Sequence, residues 1–115
     1  MRLLEAQMTF AELTAKLYPE ILRMGFRFTY GEVMRDARIA ALNAKEGKGI
    51  TNSLHTISLA VDLHLFSNGV YLKSSDAYRG VGTFWKSLHE LARWGGDFHE
   101  NPDGNHFSLE FNGIK

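Results

Sequence analysis

From Ser58 to Phe66 the chain alternates Leu59, Val61, Leu63 and Leu65 with Ala60, Asp62 and His64. A period of two marks a β-strand with one face turned to a core. Asp62 sits in the middle of this run, and a carboxylate among large aliphatic residues is costly to bury unless it is paired or metal-bound. The fold must therefore bring a partner to Asp62. His64, two residues on, shares its face of the strand; exposure at the strand end is expected for it. Ser67-Asn68-Gly69 reads as a tight hairpin turn, with Val70, Tyr71 and Leu72 beginning the return strand.

The remaining periodicities place helices and short strands around this hairpin. Thr9-Phe10-Ala11-Glu12 has capping-box spacing, and Phe10, Leu13, Leu17 and Ile21 then recur at helical steps to about Met24, with Pro19 as a kink or break. Phe26, Phe28 and Tyr30 alternate as a short strand. A second helix is expected over Val33–Lys45. A third is expected through Val81, Phe84, Trp85, Leu88, Leu91 and Ala92, closed by Gly95-Gly96. His106 to Phe111 alternates again after the turn Pro102-Asp103-Gly104-Asn105. Mixed helices and antiparallel hairpins predict a small α+β domain, an antiparallel sheet flanked by about three helices.

Length and composition narrow the function. At 115 residues the chain suits one domain, 1–115, without room for a separate targeting module. A formal net charge of zero with scattered basic residues speaks against nucleic acid, where phosphate neutralisation needs a surplus of Lys and Arg. No apolar run approaches the ~18 residues of a membrane span, so no stable membrane association is expected. Glu5 and Gln7 interrupt any signal-peptide core, so synthesis in a cytoplasm is expected. The absence of cysteine removes thiol nucleophiles, disulfides and Cys-ligated zinc. Any metal would be held by His and carboxylates.

Two clusters offer such donors: SLHTISLAVD at 53–62, and WGGDF at 94–98 followed by DGNHF at 103–107. Two His and one carboxylate with a water make a catalytic zinc set, and a further carboxylate can act as general base. His55 and Asp62 are seven residues apart, roughly 23 Å in extended chain. To share one ion the chain must double back between them, around Ile57-Ser58, with Asp62 on the returning strand. Asp103 and His106 stay close across a tight turn.

These residues resemble the zinc peptidase family that includes the VanX/VanY D,D-peptidases and phage L-alanyl-D-glutamate endolysins. Its signature is Ser-x-His-x-x-Gly-x-Ala-x-Asp, followed later by an acidic residue three before a second His. The first half here is SLHTISLAVD and the second DGNHF, and Tyr30-Gly31-Glu32-Val33-Met34-Arg35 is similar to the stretch carrying the family's upstream arginine. The resemblance covers about Gly25 to Phe111. Ser58 replaces the signature Gly, so the turn must be made without a residue free to take positive φ; phage members similar to this chain vary there too. The acidic residue is Asp103 where many members carry Glu.

The resemblance implies a Hedgehog/D-Ala-D-Ala peptidase-like fold and one Zn2+ per chain held by His55, Asp62 and His106. It implies Asp103 as general base, with Asp97 and Glu100 as rivals by sequence proximity. Arg35 would bind substrate or stabilise the oxyanion, and Ser53 would support the site or contact substrate. Trp94, beside the implied cleft, is a candidate for substrate contact or for the core. The implied activity is a phage endolysin that cuts the L-alanyl-D-glutamate bond of peptidoglycan stem peptides. The alternatives are a D,D- or L,D-carboxypeptidase acting on stem-peptide D-Ala and an inactive structural or wall-binding homologue. A monomer is expected, held in the host cytoplasm and acting in the periplasm once the membrane is permeabilised. His89-Glu90 does not extend to a His-Glu-x-x-His motif, because Arg93 stands at the second His.

Overall fold

A computed structural model describes residues 1–31 and 53–115. The helix expected over Val33–Lys45, and Arg35 with it, lies outside these residues. Helix α1 spans Leu3–Arg23, and β1 follows at Arg27–Tyr30. After a 3-10 turn at Leu54–Ile57 come β2 (Ala60–Ser67) and β3 (Val70–Tyr71). A second 3-10 turn, Ser75–Tyr78, leads into α2 (Arg79–Ser87). Strand β4 (Ala92–Trp94), a third 3-10 turn (Gly95–Asp97) and β5 (His106–Leu109) complete the order. The result is a small α+β domain with an antiparallel sheet, as the periodicities predict.

The sheet runs β1-β2-β5-β4, with every neighbouring pair antiparallel. Strand β2 is the spine. One of its edges carries β1; the other is shared end to end by β5, opposite Ala60–Asp62, and β3, opposite Phe66–Ser67. The hairpin turn is the expected Asn68-Gly69 pair, both at positive φ, the geometry that matches strand twist.

Helix α1 starts six residues before the expected capping box, so Thr9 lies inside it. Burial explains the difference: Ala6 continues the stripe of Phe10, Leu13, Leu17 and Ile21 by one more turn. Arg2 stands at the cap without a side-chain bond, and Glu5 in the first turn suits the positive end of the helix dipole. Pro19 lies within the helix, which runs on to Arg23 because Leu17 and Ile21 on either side are fully buried.

The third helix is shorter than expected. It stops at Ser87, and Ala92 belongs to β4. Ala92 and Trp94 are buried while Arg93 between them reaches Glu110 at 2.8 Å, a strand pattern that pairing with β5 satisfies. Trp-Gly-Gly therefore ends a strand rather than a helix. The Trp85 indole N–H lies 2.9 Å from Arg93 O and 3.1 Å from Ser108 O, tying α2 to both strands. Its ring meets Phe10 of α1 edge-on at 5.7 Å. Among the described residues no helix is long and apolar enough to cross a membrane.

Trp94 is held between two glycines. A Cβ at Gly82 of α2 or at Gly96 would collide with opposite parts of its indole. Gly82→Ala gains about 1 kcal/mol of helix propensity but overpacks the Trp94 site, which typically costs about 1–3 kcal/mol. A lower urea midpoint with unchanged m-value is expected for Gly82→Ala; an unchanged or higher midpoint would show that α2 yields without cost.

Candidate metal centre

The first donor is set by a local device. Ser53 Oγ accepts the His55 backbone N–H at 3.2 Å, and Thr56 Oγ1 donates to Ser53 O at 2.7 Å, which starts the 3-10 turn. Ser58 then ends the turn in the left-handed region at φ 57°, and Leu59 N–H returns to Leu54 O at 3.0 Å. The reversal falls at the expected residue, and Ser58 adopts the positive φ that the missing glycine would have taken freely. Gln7 of α1 supports the turn from beneath, donating to Ile57 O at 2.9 Å.

The second and third donors are set by strand register. β2 and β5 place Asp62 directly opposite His106 on the same face of the sheet. His55 then closes the group: His55 Nε2 lies 3.4 Å, and His106 Nδ1 3.5 Å, from Asp62 Oδ1. One donor atom from each residue falls within 4.8 Å of the others. Donors about 2.05 Å from a tetrahedral zinc would stand about 3.3 Å apart. The two edges through Asp62 match that spacing.

The surroundings favour a cation at the centre of this group. His106 Nε2 lies 3.1 Å from the main-chain oxygen of Lys115, and Nδ1 is turned towards Asp62. Asp62 Oδ1 is buried without a hydrogen-bond partner, as is His55 Nδ1. Burial alone would raise the Asp62 carboxyl, but the two imidazoles hold it well below the usual carboxylate range. A carboxylate oxygen and two ring nitrogens thus face one another here, a donor set that a divalent ion satisfies.

Asp103 sits on the turn before β5 with its side chain exposed. Its backbone is fixed on both sides: Asp103 N–H donates to Gly95 O at 2.8 Å and Asp103 O accepts from His106 N at 3.2 Å. The carboxylate accepts the Asn105 backbone N–H at 3.2 Å. Of the rival acids, Asp97 is held by Lys86 Nζ at 2.7 Å, whereas Glu100 lies exposed on the loop.

Of the two readings open for each of Trp94 and Ser53, their burial and bonds match the core and support of the site. Trp94 is 1% exposed and its indole N–H donates to Gly104 O at 2.8 Å, so it props the Asp103 turn from inside the core. Ser53 is 7% exposed and acts on His55 through its hydroxyl. Arg35 lies outside the described residues. His64 is not the exposed strand-end residue expected: its Nδ1 stands 3.1 Å from Tyr71 OH and 3.2 Å from Asn105 Nδ2. Asn105 escaped the sequence reading altogether. Its side-chain amide bonds Leu63 O at 2.7 Å and Tyr78 OH at 3.1 Å, locking the residue next to His106 onto β2. Only its place inside the turn before His106 hinted at this.

Two histidines and an aspartate gathered beside the face of the sheet opposite Leu63 and Leu65, with an exposed carboxylate on the adjoining turn, offer the donor types of a metal-dependent hydrolase. A family model described as D-alanyl-D-alanine carboxypeptidase matches residues 46–109, more than half of the chain, and the protein belongs to that peptidase family. Its fold is similar to that of the Serratia marcescens L-Ala D-Glu endopeptidase ChiX, with a TM-score of 0.72 and 23% identity over 88% of this chain and 80% of that one. No curated protein sequence gives a significant match.

Added zinc should bind at one ion per chain and raise the melting temperature of the wild type. Asp62→Ala and His106→Ala should lose that rise and weaken binding by more than the ~100-fold that loss of a supporting partner costs. Metal analysis after dialysis, alongside thermal denaturation, reads both; undiminished stoichiometric zinc in either variant would place the ion elsewhere.

Proposed function

We propose that the protein is a zinc-dependent peptidoglycan peptidase that hydrolyses the L-alanyl-D-glutamate bond of stem peptides. The observation that carries this reading is the convergence of His55 Nε2, Asp62 Oδ1 and His106 Nδ1 on one point, with Asp62 Oδ1 buried and unpartnered. Zinc held there by His55, Asp62 and His106 would supply Lewis acidity and ease the deprotonation of water. The Asp103 carboxylate, held beside His106 by its own backbone bonds, takes a proton from the attacking water and returns it to the leaving amine. Arg35, by the family resemblance, supplies guanidinium donors to the oxyanion as charge develops. Membership in the peptidase family and the fold shared with an L-Ala D-Glu endopeptidase support the substrate class.

The family description favours a second reading, a carboxypeptidase that removes terminal D-Ala. The endopeptidase reading carries with it the role of a phage endolysin, made in the host cytoplasm and reaching peptidoglycan after membrane permeabilisation.

Digestion of muropeptides followed by mass spectrometry separates the two readings. A new D-Glu amino terminus is expected; release of D-Ala alone would establish the carboxypeptidase. Asp103→Asn should lower kcat by about 10²–10⁴-fold while leaving zinc affinity within a few-fold of the wild type. A variant that keeps most of its kcat would move the base to Glu100 or Asp97.

A further inference from the structure

The face of β2 that carries Asp62 continues through His64 to Phe66, because alternate residues share a face. Cross-strand register adds Thr29 opposite His64 and Arg27 opposite Phe66 on β1, and Tyr71 opposite Phe66 on β3. The other face of β2 presents Leu63 and Leu65, both fully buried. At about 3.3 Å per residue, Phe66 lies roughly 13 Å along the strand from Asp62. A pocket of about 420 Å³ opens at that end, lined by Gly25, Arg27, Thr29, Phe66, Asn68 and Gly69 among others. Of the described lining residues, only Arg27 is charged.

His64 lies between the metal cluster and this pocket. Tyr71 OH at 3.1 Å and Asn105 Nδ2 at 3.2 Å both stand at His64 Nδ1 and fix the orientation of the ring, with Nε2 at its other side. That side lies over Gly31, where a Cβ would come within 2.6 Å of His64 Nε2 and 3.1 Å of Asp62 Cβ. The absence of a side chain at Gly31 thus lets its backbone pack closely against Asp62 and the imidazole.

We propose that this face is a linear track for an acidic peptide, in which the Arg27 pocket takes a substrate carboxylate about 13 Å from the metal cluster. The proposal rests on the endopeptidase reading and gives it a polarity. In L-Ala-γ-D-Glu-L-Lys-D-Ala, ten bonds lead from the nitrogen of the scissile amide to the terminal carboxyl, roughly 12 Å when extended. With L-Ala–D-Glu at the metal, the free D-Ala carboxylate reaches Arg27, whose planar guanidinium matches it two bonds to two.

The test compares this tetrapeptide with its C-terminal carboxamide, using the zinc-loaded full chain. Wild type is expected to show a KM for the free acid about 10- to 100-fold below that for the carboxamide, the range of a hydrogen bond to a charged group. Arg27→Gln should raise the KM for the free acid towards that for the carboxamide and so erase the difference, and Arg27→Lys should restore part of it. A structural role for Arg27 would shift both substrates together. Equal KM values in wild type, or a preference that survives in Arg27→Gln, would overturn the track. Wild type that cleaves the L-Ala–D-Glu bond of neither peptide would overturn the endopeptidase reading as well; turnover of the carboxamide separates the two failures.

Discussion

The pairing of β2 with β5 is the constraint on which the rest depends. It sets Asp62 opposite His106, and only in this register does the carboxylate share a face with both imidazoles. A slip of one residue would turn Asp62 towards the apolar side, where Leu63 and Leu65 are fully buried. Much of the fold holds that register. The Trp85 indole clasps β4 and β5 through Arg93 O and Ser108 O, and Leu109 N–H closes onto Leu59 O just before β2. Asn105 extends the pairing beyond the strand by accepting Leu63 N–H and donating to Leu63 O.

Around this pairing the wall of the site is built from backbone contacts and a buried indole rather than from charges. Trp94 fills the space between α2 and the Gly95–Asp97 turn, and its N–H holds Gly104 O. Gly104 N–H is held in turn by Ser75 Oγ at 2.9 Å. Gly95 allows the Asp103 carbonyl to approach more closely than any side chain would permit. The Asp103 turn is therefore fixed from behind while its carboxylate stays exposed, a placement that suits the general-base role proposed for it. The charged residues nearby pair at the periphery, Lys86 with Asp97 and Arg93 with Glu110.

The open face of the sheet joins the cluster to the rest of the molecule. Asp62, His64 and Phe66 follow one another along it. Its floor is ordered by a chain of hydrogen bonds from Tyr71 and Asn105 to His64, and from Asn105 and Leu65 to the Tyr78 hydroxyl. The same network that orients the imidazole also anchors the residue beside His106.

Much of this was legible in the sequence because its signals are local. The two-residue alternation around Asp62, the Asn-Gly hairpin, the apolar stripe of α1 and the need for a reversal near Ser58 all follow from neighbouring residues and backbone sterics. The ligand types and the carboxylate three residues before His106 were equally plain. Local signals also misled: Thr9 has capping-box spacing yet lies inside α1, because burying Ala6 outweighs a cap, and Ala92 continues a helical pattern yet pairs with β5. Trp94 could be assigned to core or cleft only once α2 and Gly96 were seen to enclose it. The sequence by itself determined which elements form and which chemistry they can carry. The tertiary structure alone decided which donors meet, since strand register and the packing of α2 against β4 join residues too far apart in the chain for any local pattern to specify.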